Sequence, residues 1–354
     1  TQSRSSAASD VYKRQRYIYI NLQKTKKQVM NKNNMILSPA QKALAINLDD
    51  SIYGSFVEIG AGQEVVRNFF RVGSASGTIA KTMSAYDKDF SDAIYEKEPD
   101  GRYVCKSRLE KMLQKEYSLL EERLNKDNYK DTRYFAFADT IATINYSKTT
   151  KGHGWMGLRF QLTPNQKPSD FIIHVLLNDP DAQLQQETVG IIGTNMLHAC
   201  FNETDPKEIL KQLYDNLSKD KVQIDMIEVL GPAFDHVDNR LLSLTLVKER
   251  MTNAVIFTPD GMNQQPSDIL HKKNIVTIRG SFRPVTKVNI DMLDRGLKEF
   301  KKNTKVKEEN IQLLFEITLS NLKAEGEVDE RDFLDRVDIL CSCLLYTSPS
   351  PRDS

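Results

Sequence analysis

The sequence has little cysteine: four in 354 residues. One of them, Cys343, falls in a terminal stretch that does not read as native. The other three, Cys105, Cys200 and Cys341, are far apart and odd in number. There is no CxxC pair and no His/Cys ladder, so neither a disulfide framework nor a zinc site is signalled. No apolar run reaches about 18 residues, and no signal peptide follows Met30 or Met35, so the sequence points to a cytoplasmic protein with no membrane partner. Neither charge sign dominates: 49 Lys and Arg stand against 48 Asp and Glu. Residues 1–29 carry seven of those bases against one acid and residues 343–354 balance, which leaves the rest net acidic, from +1 overall to −5. A mildly acidic body argues against nucleic acid as a partner. Internal repeats, low-complexity tracts and coiled-coil heptads are also missing.

What is present at the two ends reads as library DNA. Residues 5–15 (SSAASDVYKRQ) and 343–353 (CLLYTSPSPRD) are translated frames of two companion sequencing adapters. Residues 16–29 have the Arg, Lys, Asn, Ile and Tyr bias of AT-rich DNA read through. The expectation is that residues 1–29 are adapter and untranslated leader and 343–354 an adapter tail. Both are expected to be disordered and to make no core contact. The native chain would then start at Met30 or Met35 and continue beyond residue 342.

Between those ends, hydrophobic spacing sets the elements. Residues 42–48 (KALAINL) suit a short strand, and 64–70 a helix after the Gly60-Ala61-Gly62 turn. Ile79, Met83, Tyr86, Phe90 and Ile94 form a helical stripe over 78–95, and 105–124 is a strong amphipathic helix. Strands are expected at 133–146, 155–162 and 170–177, with connections short enough for antiparallel pairing. Helices follow at 182–201 and 206–217. From residue 221 strand and helix alternate: strands near 222–229, 254–257, 275–278 and 311–319, helices near 239–249, 267–271, 290–300 and 330–340. That alternation implies βαβ units and a parallel sheet. The fold class is therefore α/β. A helical and antiparallel N-terminal part, 30–150, packs on a mostly parallel, truncated C-terminal sheet, 151–342. Soft boundaries fall in the polar stretches 145–151 and 202–206.

Several short motifs are candidates for chemistry, each beside a plainer reading. The run 56–64 (FVEIGAGQE) resembles the first motif of S-adenosylmethionine methyltransferases. Glu58, Gly60 and Gly62 would there line a cofactor turn. Glu64 replaces the third glycine, and no second strand with a terminal acid follows, so a strand-to-helix turn with a capping Glu58 explains the run as well. Gly73, Ser74, Gly77 and Thr78, followed by Lys81 one helical turn in, could cradle an anion with Arg67 and Arg71 upstream. The plain alternative is a helix start. Residues 150–153 (TKGH) fit a nucleotidyltransferase pattern ending in His153, or a hairpin loop. His174 and His198 suit hydrogen-bonded core positions. Residues 235–240 (DHVDNR) offer metal ligands or a helix cap. Arg279 and Arg283 flank a turn after a predicted parallel strand and could bind a carboxylate or phosphate.

The segments ALAINLDDSIYGSFVEIGAGQEVVRNFF, GTIAKTMSAYDKDFSDAIY, YFAFADTIAT, GHGWMGLRFQ, VDNRLLSL and RGSFRPVTKVNIDML resemble a widespread bacterial family over most of residues 42–342. Members of that family carry unrelated inherited names, TonB-dependent receptor and nicotinate-nucleotide adenylyltransferase among them. The resemblance implies no set of catalytic residues. The barrel, plug and signal sequence of a receptor are not in the sequence pattern. The adenylyltransferase histidine would have to follow the first strand, whereas the TKGH match lies mid-chain. The sequence thus points to an enzyme or binding protein for a small anionic metabolite or nucleotide, with the cofactor undetermined. A non-catalytic interaction or regulatory module is the alternative. A pocket gathering Glu58, the 73–78 loop and Arg279 or Arg283 would favour the ligand reading; scattered positions would favour the module.

Overall fold

Residues 42–47 are helical, not extended, and Leu48 ends the helix. The hydroxyl of Ser38 accepts the backbone N–H of Gln41, and the Gln41 side chain accepts the backbone N–H of Ser38. With Pro39 in the first turn, this capping box starts a helix, α1 (Pro39–Asn47), ahead of the apolar residues. The computed structural model describes residues 36–124, 129–303, 305–324 and 326–345. The expected adapter and leader region 1–29 lies outside them, as do residues 346–354.

The elements that follow are β1 (Ile52–Ile59), α2 (Glu64–Val72), β2 (Ile79–Met83), α3 (Lys88–Tyr95), α4 (Lys106–Arg123) and β3 (Arg133–Ala142). Then come β4 (Gly152–Phe160), β5 (Ser169–Leu177), α5 (Ala182–Asn202), α6 (Pro206–Gln212), β6 (Val222–Leu230) and α7 (Asn239–Lys248). The stripe expected over 78–95 divides into a strand and a helix. Gly73, at φ +82°, ends α2, and residues 79–83 pair in parallel with β1. Helix resumes only where Asp87 accepts the N–H of Phe90. Spacings of three and four cannot distinguish one helix from a strand followed by a cap.

Six strands form one sheet in the order β2-β1-β3-β4-β5-β6. The pairs β1/β2 and β1/β3 are parallel; β3/β4, β4/β5 and β5/β6 are antiparallel. The polar stretch 145–151 is the link from β3 to β4, so the chain on either side of it shares this sheet. Helices α1, α2, α5 and α6 cover one face over Phe56, Phe69, Phe135, Phe137, Phe160 and Phe171. Each such ring removed from water contributes about 1.5–3 kcal/mol. Helix α4 covers the other face over Val57, Ala136, Ala138 and Ile172. Gly157 lets it come close, since a Cβ there would meet Leu113 at 2.9 Å and Leu109 at 3.0 Å.

Beyond α7 lie β7 (Ile256–Phe257), β8 (Asn263–Gln264), α8 (Pro266–Leu270), β9 (Asn274–Arg279) and α9 (Lys287–Lys301). They are followed by β10 (Ile311–Glu316), α10 (Leu319–Leu322) and α11 (Glu330–Leu345). β9 and β10 pair in parallel around α9, the βαβ unit that the alternation implies. The strand expected near 222–229 in that parallel sheet runs to residue 230 and instead closes the large one, antiparallel to β5. The backbone of α11 runs on to residue 345, into the stretch expected as a tail. The class is α/β, with parallel pairing in both halves. Among the described residues no helix is long and apolar enough to cross a membrane.

Candidate functional site

The candidate site begins with an irregularity in the sheet. Where β5 pairs β6, His174 lies opposite Met226 and Val175 opposite Ile224, which leaves Asp225 as an extra residue. Met226 packs on the α4 face of the sheet and Ile224 on the opposite face. Regular alternation would send Asp225 away from Met226's face. The bulge re-aims it. Its Oδ1 comes to 2.6 Å from Nδ1 of His174, which is completely buried.

Three groups then fall in line. A carboxylate only accepts, so His174 donates from Nδ1. Its Nε2 faces Nδ1 of His153 at 3.3 Å, and the side-chain nitrogen of Gln265 lies over the ring, 2.9 Å from Nε2 and 3.2 Å from Nδ1. Trp155 closes the side, with ring centroids 4.9 Å apart. His153 stands second on β4 and is only partly buried. Burial first, and then the neighbouring His174, hold its pKa below the ordinary 6.5, against opposing pulls from Asp225 and Asp268. At neutral pH His153 is therefore a neutral base. With Nδ1–H directed inward it presents the Nε2 lone pair outward. A proton taken at Nε2 lets the Nδ1 proton move onto His174, whose charge Asp225 offsets.

A second titratable pair lies on the opposite face. Glu58 on β1 is in register with Asp139 on β3 and both are buried. The two carboxylate oxygens of Glu58 accept the N–H groups of Val65 and Val66 at 2.9 Å each and so cap α2. Among the described residues Asp139 accepts only from Ile59, and its Oδ2 has no partner. Burial, more than any other cause, raises Glu58 from 4.5 to about 7 and raises Asp139 well above its ordinary value. The capping reading of Glu58 describes this turn. The helix N–H groups that a cofactor phosphate would need are taken. Gly60, at φ +99°, packs so closely that a Cβ would sit 1.9 Å from the Ile141 carbonyl; Gly62 also has positive φ, +85°.

The remaining sequence candidates do not converge. No helix opens at Thr78. Gly77 and Thr78 donate to Ser74 and Ala75 in one 3-10 turn, Ser74 is left-handed at φ 60°, and β2 starts at residue 79. The cause is the parallel pairing with β1, in which Gly54 N–H donates to the Thr78 carbonyl. Lys81 lies on that strand and pairs with Glu116 of α4. Arg279 pairs with Glu316, and Arg283 with Asp332. Residues 235–240 line a pocket of about 440 Å³ with Glu228 and residues 261–263, but Asp238 caps α7 and pairs with Arg240. Among the described residues no group of three or more His, Cys, Asp or Glu could hold a metal ion.

Sequence reasoning singled out His153 and His174 separately and missed Asp225 and Gln265. An acid within the apolar strand VQIDMIEVL was the signal for Asp225. Gln265 carried none.

No family model matches the chain, and no curated protein matches it. Among solved structures it is similar to a competence-damaged protein (CinA) superfamily protein from Enterobacter cloacae. The identity is 12%, over 48% of this chain and 96% of that one, with a TM-score of 0.34. It is also similar to the competence/damage inducible protein CihA from Agrobacterium tumefaciens, at 15% identity over 48% and 100% of the two chains, TM-score 0.33. A competence or damage-inducible protein from Enterobacter asburiae gives 12%, 47%, 99% and 0.33.

Proposed function

We propose that the protein is an enzyme that moves a proton on a small polar metabolite, with His153 as the acid–base group. The observation that supports this most is the line Asp225–His174–His153, which the bulge at Asp225 creates. Asp225 and His174 orient and back the outer imidazole; neither has to touch the substrate. Among the described residues His153 Nε2 has no protein partner, so the lone pair is available. General acid–base catalysis of this kind contributes about 10²–10⁴-fold. Small anionic metabolites and nucleotides remain the first panel to screen, although no gathered set of basic side chains now speaks for them. The test is a turnover screen over that panel with wild type and His153→Gln. A substrate whose turnover falls about 100-fold or more in the folded variant supports the reading. Equal turnover in both proteins overturns it.

The second reading is a non-catalytic interaction module, in which the line of three is a buried polar staple. The scatter of Glu58, residues 73–78, Arg279 and Arg283 over separate elements favours it. Binding of a macromolecular partner with no turnover of any screened metabolite would select it.

A further inference from the structure

Two segments from distant parts of the chain flank the line of His174 and His153. The first is the loop before α4. Thr140 of β3 donates its hydroxyl to the Tyr103 carbonyl at 2.7 Å. Thr140 lies opposite Trp155 on β4, two residues from His153. The second segment is the start of α8. The buried Gln265 side chain lies over the ring of His174, and Asp268 stands three residues on, in the helix that follows. Each segment therefore carries a charged residue close to its anchor. The two charges meet: Arg102 donates to Asp268 at 3.1 Å, across 166 residues of sequence. Asp268 is also among the charges that act on His153.

We infer that the Arg102–Asp268 pair is a latch across the approach to His153, and that a substrate reaches the Nε2 lone pair when the latch parts. The inference rests on the His153 reading above. Three features suit the pair to opening. Both side chains stand largely in water, 61% and 45% exposed. An ion pair so placed favours the closed form by a factor of about five at most. Arg102 also keeps a second carboxylate, Asp100 at 3.3 Å, so opening leaves no bare cation. Gly101, beside it at φ +68°, has nothing within 4 Å of where a Cβ would stand, and it can absorb the change of backbone angle. The anchors on Thr140 and His174 hold the two segments in place while the charged tips separate.

The test is carbethoxylation of the full chain by diethyl pyrocarbonate near neutral pH, followed at each of the five histidines by peptide mass spectrometry. The reagent is uncharged and reacts at a bare imidazole nitrogen, so it reports access to His153 without a substrate. Exposed His236 gives the reference rate, and buried His174 reports unfolding. Asp268→Asn and Arg102→Gln should each speed His153 by about two- to fivefold relative to His236. Removing an anion and removing a cation shift the basicity of His153 in opposite directions, so a rise in both variants reports access. The double variant should match the single ones, because either change removes the same pair. Raising salt from about 0.05 M to about 0.5 M should speed wild type and leave the variants unmoved. Unchanged His153 rates in the two variants, or a wild-type rate indifferent to salt, overturn the inference. So does a rise at His174 together with His153, which is general loosening and not a latch. Such a failure would leave the acid–base reading standing, because that reading is tested by turnover in His153→Gln.

Discussion

Replacing Asp139 by asparagine should make the protein more stable above neutral pH and flatten its pH dependence. Glu58 and Asp139 share the interior of the sheet, in register on adjacent strands. Glu58 is raised from 4.5 to about 7, chiefly by burial. The folded chain therefore holds a proton that the unfolded chain releases. Stability falls as pH rises from 4.5 to about 7, and the full cost stands above that window. At about 1.4 kcal/mol per pH unit, the cost is about 3 kcal/mol. An asparagine side chain has the shape of a protonated Asp139, including a hydrogen on the nitrogen that replaces the unpartnered Oδ2. Asp139, raised well above its ordinary value by burial and then by Glu58, also keeps a proton in the folded chain that the unfolded chain releases, so Asp139→Asn should gain on wild type as pH rises above 3.8 and still exceed it at pH 8. Urea unfolding of both proteins at several pH values measures this, and the difference between the curves isolates the pair from every other group. Parallel curves, or a variant less stable than wild type at pH 8, would refute the reasoning.

Other changes have comparably direct outcomes. Gly60→Ala should cost about 3 kcal/mol or more in urea unfolding, because it combines φ +99° with a Cβ 1.9 Å from the Ile141 carbonyl. Lys81→Ala should cost about 2 kcal/mol, because it leaves Glu116, at 1% side-chain exposure, without its cation. The same variant should leave any response to inorganic phosphate in calorimetric titration unchanged, the opposite of what an anion cradle at 73–81 requires. Ser38→Ala should cost about 1 kcal/mol by removing the capping box of α1, and hydrogen exchange should rise first in residues 39–47.

Much of the element order was legible where a pattern was long or strongly bounded. The helix 106–123 carries Leu109, Met112, Leu113, Tyr117 and Leu120 on one buried side, and strands β3, β4 and β5 read from apolar runs broken by short polar links. The same approach failed at 42–48, where Ser38, Pro39 and Gln41 fixed a helix before the apolar residues could choose. It failed again at 78–83, where pairing to β1 outweighed a helix-like spacing. Strand 222–230 was recognised but placed in the wrong sheet, because alternation shows what an element is and not which edge it joins. The site was legible only in pieces. His174 read as a hydrogen-bonded core residue, and His153 appeared within a loose motif. Their meeting depends on the register of β4 and β5, in which Trp155 lies opposite His174 and His153 opposite Leu176. Asp225 depends on a bulge, which no local residue pattern announces.

The central claim is that Asp225, His174 and His153 act as one acid–base unit. The direct measurement is the pH titration of His153 by NMR in wild type and in Asp225→Asn. The account predicts a wild-type midpoint below 6.5, moving lower still when the Asp225 charge that favours the protonated ring is removed. A wild-type midpoint at or above 6.5 that Asp225→Asn leaves unmoved would contradict it.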